Sequence, residues 1–147
     1  MELQIQSVIQ EQIHEFTDQT IIQLQLEELD QFTDTKLKTT TLSITINKEI
    51  LQFQITAQSG IQNNRYCKTY VIPVKAFHYI LVSTQEDSEQ VNANMQVFGH
   101  QGEFLLHEKL SLHHVNSIRV TYPEFTEFFV TLNEKVTKYI NQYRQSL

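Results

Sequence analysis

The sequence predicts an α+β fold, in which an antiparallel sheet of five or six strands packs against a C-terminal amphipathic helix and an N-terminal helix on one face. Three observations lead to this fold class. Apolar and polar residues alternate through residues 42–57, while apolar residues recur every three or four positions in residues 121–144 and again in residues 3–17. A chain of 147 residues suffices for one core. We therefore expect a single domain over residues 1–147.

The N-terminal helix is predicted from apolar residues at spacings of four, four and three. These residues are Ile5, Ile9, Ile13 and Phe16. Such spacing places them on one face of a helix, with Gln and Glu elsewhere. Residues 20–29 fit a strand or a helix, and the alternation of Ile22, Leu24 and Leu26 with polar residues favours a strand.

The clearest strand pattern is a hairpin in residues 42–57, whose two alternating runs are separated by Asn47, Lys48 and Glu49. Residues 66–72 predict a third strand that ends at Pro73, because proline lacks the backbone donor that a sheet interior needs. The apolar run 76–82 fits a buried strand or a short helix, and residues 84–94 read as a polar loop. Residues 95–112 predict a second hairpin with its turn at Gly99–Gly102.

The C-terminal helix is predicted from both its ends and its face. Thr121 and Glu124 form a capping-box pattern, and Pro123 suits a first helical turn. Lys135, Lys138 and Arg144 lie towards the end where cations favour the helix dipole. Its apolar stripe predicts a helix that forms an integral layer of the core.

Composition restricts the class of protein. The chain is 40% hydrophobic and 19% charged, which is typical of a globular domain. The single cysteine, Cys67, excludes an intrachain disulfide. Since the sequence shows neither a signal-peptide pattern nor a long apolar run, we expect a cytoplasmic protein that does not enter a membrane.

Charge is distributed unevenly along the chain. The first 35 residues hold eight acidic side chains and no Lys or Arg, whereas the rest hold 11 basic and 9 acidic side chains. Such an asymmetry predicts a surface for a basic protein partner, and it disfavours nucleic acid. An acidic face that is only solvated is the alternative. The partner-binding residues predicted on this ground are Glu27, Glu28, Asp30 and Asp34.

Four of the six histidines lie between Gly99 and His114, a concentration that raises the question of a metal site. His107 and Glu108 resemble the start of H-E-x-x-H, but Ser111 stands where the second histidine belongs. On a strand, His107 and His113 would lie roughly 20 Å apart, too far to share one metal ion. A site that joins His78 to His107 or His113 from another strand stays open, but we predict no metal, no cofactor and no catalytic residue.

The leading functional hypothesis is a non-enzymatic cytoplasmic binding module, such as an adaptor, an inhibitor or an immunity-type protein, that presents its acidic N-terminal segment to a basic partner. The alternative is a small-ligand-binding or metal-dependent enzyme with a pocket between sheet and helix, lined by Tyr and His. Self-association through a Gln- and Thr-rich strand edge is a third hypothesis. Catalysis is the less favoured class because no nucleophile, phosphate or dinucleotide motif is present.

Overall fold

Eight antiparallel strands and two C-terminal helices are present in the described part of the chain. The computed structural model describes residues 5–30, 32–33, 35–59, 65–86, 90–113 and 118–145. In chain order the elements are β1 (Ile5–Glu15), β2 (Gln19–Asp30), β3 (Lys36–Asn47), β4 (Ile50–Ser59), β5 (Arg65–Pro73), β6 (Phe77–Glu86), β7 (Gln90–Gly99), β8 (Phe104–His113), α1 (Ile118–Val130) and α2 (Leu132–Gln145).

The first five strands form one sheet, in the order β1-β2-β3-β4-β5. Because successive side chains of a strand point to opposite faces, each strand contributes an apolar and a polar row. Ile22 pairs with Ile44, and Ile44 pairs with Phe53, so that an apolar row crosses three strands and is fully buried. The opposite face carries mainly Gln, Thr and Ser, which accounts for the abundance of neutral polar residues.

The last three strands form a second sheet, in the order β6-β7-β8. A 3-10 turn at Val74–Ala76 follows Pro73 and joins the two sheets. Val91, Ala93, Met95 and Val97 on β7 face the same hydrophobic core as the inner row of the first sheet. The α+β class and the antiparallel pairing are confirmed, but the sheet of five or six strands is replaced by two sheets with eight strands.

The N-terminal helix prediction is wrong, because Ile5–Glu15 forms strand β1 at the edge of the first sheet. A spacing of four is a multiple of two, so residues at this spacing, such as Ile9 and Ile13, lie on one face of a strand as well as on one face of a helix. The intervening inward positions hold Ser7 and Glu11, which hid the alternation. Residues 20–29 form a strand, as the alternation in that segment predicts.

The C-terminal helical segment is interrupted at Thr131 and begins before the predicted cap, at Ile118. The Thr131 hydroxyl donates to the backbone oxygen of Glu127 at 2.9 Å and also contacts the Phe128 oxygen at 3.4 Å. Such a bond competes with the helical ladder and bends helices. The apolar stripe is confirmed as core, with Phe125, Phe128, Phe129, Leu132 and Val136 buried. None of the helices in the described part of the chain is long and apolar enough to span a membrane.

Candidate functional site

Helix α2 is attached to the β1–β2 edge by three polar contacts, which we call the α2 seam. Lys135 donates to Glu11 at 2.6 Å, Tyr139 donates to Glu15 at 2.6 Å, and Tyr143 lies 2.7 Å from the hydroxyl of Thr20. Lys135, Tyr139 and Tyr143 are four residues apart, so they lie along one face of α2. The seam therefore positions α2, and α1 before it, over the inner face of β1.

The contact with Glu15 changes the acidity of the Tyr139 hydroxyl. Its hydrogen bond to the Glu15 carboxylate, together with burial and the nearby negative charge, raises the pKa of Tyr139 to about 12. The cause is that the carboxylate accepts a proton from the neutral phenol and repels a phenolate. Tyr139 therefore stays a hydrogen-bond donor at every physiological pH.

A cleft of about 360 Å³ opens between β1 and the end of α1. Its apolar floor is formed by Ile9, Leu24 and Phe128, while Glu11, Glu124, Glu127, Thr131 and Lys135 form its polar rim. That volume is at the small end of the range for ligand pockets, which spans roughly 300–1,000 Å³.

The rim of the cleft is acidic. Three carboxylates against one ammonium leave a formal charge of −2. Lys135 is held by Glu11 and lies 5.0 Å from the centre of the Phe128 ring, so this cation is already engaged. Glu124 and Glu127 are exposed, and no described cation pairs with them. The cleft therefore combines an apolar surface with negative charge available to a ligand.

The predicted acidic residues are divided between different environments. Glu27 is on the outer face of the first sheet, where it accepts from Gln25 at 2.8 Å and lies 3.5 Å from Lys36. Glu28 is on the opposite face and is buried. Asp30 accepts a bond from the Phe32 backbone in the turn after β2, and Asp34 lies outside the described residues. The structure therefore does not bring Glu27 and Glu28 onto one surface.

The described part of the histidine-rich hairpin brings several aromatic rings together. His100 is in its turn, where Gly102 has a φ of +80°, and its ring lies 5.1 Å from that of His78. Within the described residues, no three His, Cys, Asp or Glu side chains converge as metal ligands would. Beside the two histidines, Tyr79 stacks on Phe98, and Phe98 contacts Phe104, which is 64% exposed.

A smaller polar cluster joins the two sheets at β5 and β8. The Glu108 carboxylate accepts from Tyr70 and, at 3.3 Å, from Lys68. The bond to Glu108 raises the pKa of Tyr70, and hydrogen bonds to Tyr66 and Glu108 raise the pKa of the Lys68 ammonium. The carboxylate of Glu108 is thus paired with the ammonium of Lys68 and the hydroxyl of Tyr70, and these bonds connect β8 to β5. Nearby Cys67 is a free thiol that is exposed on the outer face of the first sheet.

The cleft residues were not selected from the sequence. In the sequence, Glu11 belongs to the acidic first 35 residues and Glu124 to the capping-box pattern, and neither pattern indicates a cleft. These carboxylates meet at one cleft because α1 lies over β1, and the two elements are more than a hundred positions apart in the chain. The expected pocket between sheet and helix is present, but its lining contains neither Tyr nor His.

Comparisons with known proteins add a family and nothing more specific. No curated protein and no solved structure matches this chain. One family model covers nearly the whole sequence, from residue 1 to residue 144. The chain therefore belongs to DUF3978, a family described as a protein of unknown function.

Proposed function

We propose that this protein is a cytoplasmic, non-enzymatic binding module that takes a basic, partly apolar segment of a protein partner into the cleft between β1 and α1. The observation that supports the proposal is the composition of the cleft, in which an apolar floor lies beside the carboxylates of Glu124 and Glu127. Burial of apolar surface would provide most of the binding free energy. Charge complementarity would raise the association rate and select basic partners over others.

The charge of the whole chain favours the same class of partner. The formal net charge is −6, and the acidic N-terminal segment contributes Glu11 to the cleft itself. A basic segment would be attracted at long range and then paired at the rim. Nucleic acid would be repelled over most approaches.

The binding experiment uses a displayed library of random peptides of about 12 residues, a length comparable to that of a long strand or short helix. The library is selected on the wild-type protein and counter-selected on the Glu124→Gln/Glu127→Gln double variant. We expect enriched peptides to combine Lys or Arg with Val, Ile or Leu. The double variant and a rise in salt should each weaken their affinity about tenfold, equivalent to roughly 1.4 kcal/mol.

The matched control is Glu134→Gln, which removes one exposed carboxylate of α2 outside the cleft. It should change the affinity less than twofold. If no peptide is enriched, or if the enriched peptides lack basic residues or bind the double variant equally well, the proposed function is wrong.

Glu27 remains a second contact predicted by the charge asymmetry. It lies on the outer face of the first sheet, so a partner that fills the cleft would have to wrap around the β1 edge to reach it. Glu27→Lys should slow association with a selected peptide that is extended by a basic segment long enough to pass around the β1 edge, but it should leave the short peptide in the cleft unaffected. Equal rates for wild type and variant would remove Glu27 from the partner surface.

A further inference from the structure

The edge of the first sheet that borders the cleft is unpaired in the described part of the chain. β1 is the terminal strand of that sheet, and no described strand pairs with its outer side. Native proteins usually block such an edge with Lys, Pro, a bulge or a short strand. β1 runs for 11 residues in unbroken register and contains neither Lys nor Pro.

The other edge of the same sheet shows the expected protection. β5 carries Arg65 and Lys68 and ends at Pro73. The inward carboxylates of β1 do not serve this purpose, because Glu11 is bound to Lys135 and Glu15 to Tyr139. The two edges of one sheet therefore differ, and the open one is next to the cleft.

The register shows which backbone groups of β1 point outward. Phe16 donates its amide hydrogen to the Gln19 oxygen, so Phe16 is directed towards β2. Because hydrogen-bonding direction alternates along an antiparallel strand, Ile9, Glu11 and Ile13 direct their N–H and C=O groups away from β2. The side chains of these three residues face inward, towards the helices. Ile9 and Glu11 also line the cleft, so these two residues combine outward backbone groups with side chains at the cleft.

From this geometry we infer that the basic partner segment binds as an extra β-strand paired with β1. The inference rests on the proposed function, and it adds the mode of binding. A strand placed about 4.8 Å beyond β1 would direct alternate side chains towards the cleft, next to Ile9 and Glu11. Basic residues at those alternate positions would reach Glu124 and Glu127, while apolar ones would cover Ile9 and Phe128.

Charge identifies the occupant as a basic partner rather than a second copy of this chain. Pairing β1 with another β1 would bring Glu11 and Glu15 of one copy beside those of the other, and of the two carboxylates only Glu11 is paired with an ammonium, that of Lys135. Like charges on directly opposed strands destabilise pairing.

The test uses a peptide selected as described above, in versions that are N-methylated at one position each. Methylation removes one backbone donor and blocks pairing on that side of the peptide only. We expect methylation at alternate positions to weaken binding about tenfold, the effect of losing one or two hydrogen bonds, and methylation at intervening positions to have less than a twofold effect.

A change in the protein provides the complementary measurement. Ile13→Pro removes an outward amide, so the ladder with β2 is kept, and proline is tolerated on edge strands. Ile13 is 40% exposed, so the variant should fold, and Ile13→Val is the matched control. We expect Ile13→Pro to weaken peptide binding at least tenfold and Ile13→Val less than twofold. The N-methylation series needs no change in the protein, and it decides the question even if the proline variant does not fold.

The outcomes separate the two proposals. If the Glu124→Gln/Glu127→Gln variant weakens binding but binding is indifferent to N-methylation and to Ile13→Pro, the cleft binds a basic segment in another conformation and strand addition is overturned. If light scattering shows a dimer that Ile13→Pro dissociates, the occupant is a second copy and the inferred partner is wrong.

Discussion

The hydroxyl of Thr126 is buried on α1, and no group in the described part of the chain accepts or donates a hydrogen bond to it. Burying a hydroxyl without a partner costs roughly 1–3 kcal/mol by protein mutational data. Thr20 presents the opposite case, because its fully buried hydroxyl is paired with Tyr143. At the scale of single residues, stability therefore depends on which buried hydroxyls have partners.

Thr126→Val keeps the shape of the side chain and removes the unpaired hydroxyl. We expect the free energy of unfolding to rise by about 1 kcal/mol, measured by urea denaturation with an unchanged m-value. Thr137→Val, at a half-buried position on α2, is the control and should shift stability by no more than about 0.5 kcal/mol. A loss of stability in Thr126→Val would show that the hydroxyl has a partner.

Tyr143→Phe leaves the Thr20 hydroxyl buried and without its partner. We expect the free energy of unfolding to fall by roughly 1–3 kcal/mol. The free energy needed to keep an unpaired hydroxyl away from water is larger than the net stabilisation from one hydrogen bond. The double variant Thr20→Val/Tyr143→Phe should recover part of that loss in a double-mutant cycle. Strict additivity of the two single changes would contradict a direct interaction.

The elements differ in how clearly their sequences predict them. β3 and β4 alternate without interruption, and both form the strands that the pattern predicts. β1 has an inward row with three polar members, Ser7, Glu11 and Glu15, and its apolar spacing fits a helix equally well. Helical periodicity at the C-terminus is confirmed, while the interruption at Thr131, where the hydroxyl bonds back to the preceding turn, has no counterpart in that periodicity.

The anchoring of α2 in the core can be tested by comparing two neighbouring apolar residues. Leu132 is fully buried, whereas Val130, two residues earlier, is 68% exposed. Leu132→Ala should lower the free energy of unfolding by about 2–5 kcal/mol, through lost transfer energy and the cavity left behind. Val130→Ala should change it by no more than about 0.5 kcal/mol. Similar effects of the two substitutions in thermal melts would contradict the packing of this helix.

For the molecule as a whole, the α2 seam couples the end of the chain to its beginning. The seam joins Lys135, Tyr139 and Tyr143 of one helix to β1 and β2, and it thereby forms one wall of the cleft. Weakening the seam should loosen the cleft as well as the fold. The seam is also sensitive to alkaline pH, because one of its donors is a phenol.

The pKa of Tyr139 is raised in the folded protein to about 12, from an ordinary value of 10.0. Because the pKa is raised on folding, the hydrogen bond from Tyr139 to Glu15 stabilises the folded protein fully below about pH 10. This stabilisation is lost as the pH rises through about 12. The difference in melting temperature between wild type and Tyr139→Phe should therefore shrink from pH 9 towards pH 12. Glu15→Gln should lower the pKa of Tyr139 in ultraviolet titration, and an unchanged pKa would exclude Glu15 as the cause.

The sequence by itself determined the antiparallel pairing of the central strands, the apolar face of the C-terminal helical segment and the uneven charge, because each follows from neighbouring residues and the periodicity of one element. Only the tertiary structure decided that residues 5–15 form an edge strand and that Glu27 and Glu28 point to opposite faces. It likewise decided that Glu11 meets Glu124 and Glu127 around one cleft. These features depend on contacts between residues far apart in the chain, where burial and polar pairing across elements outweigh local spacing.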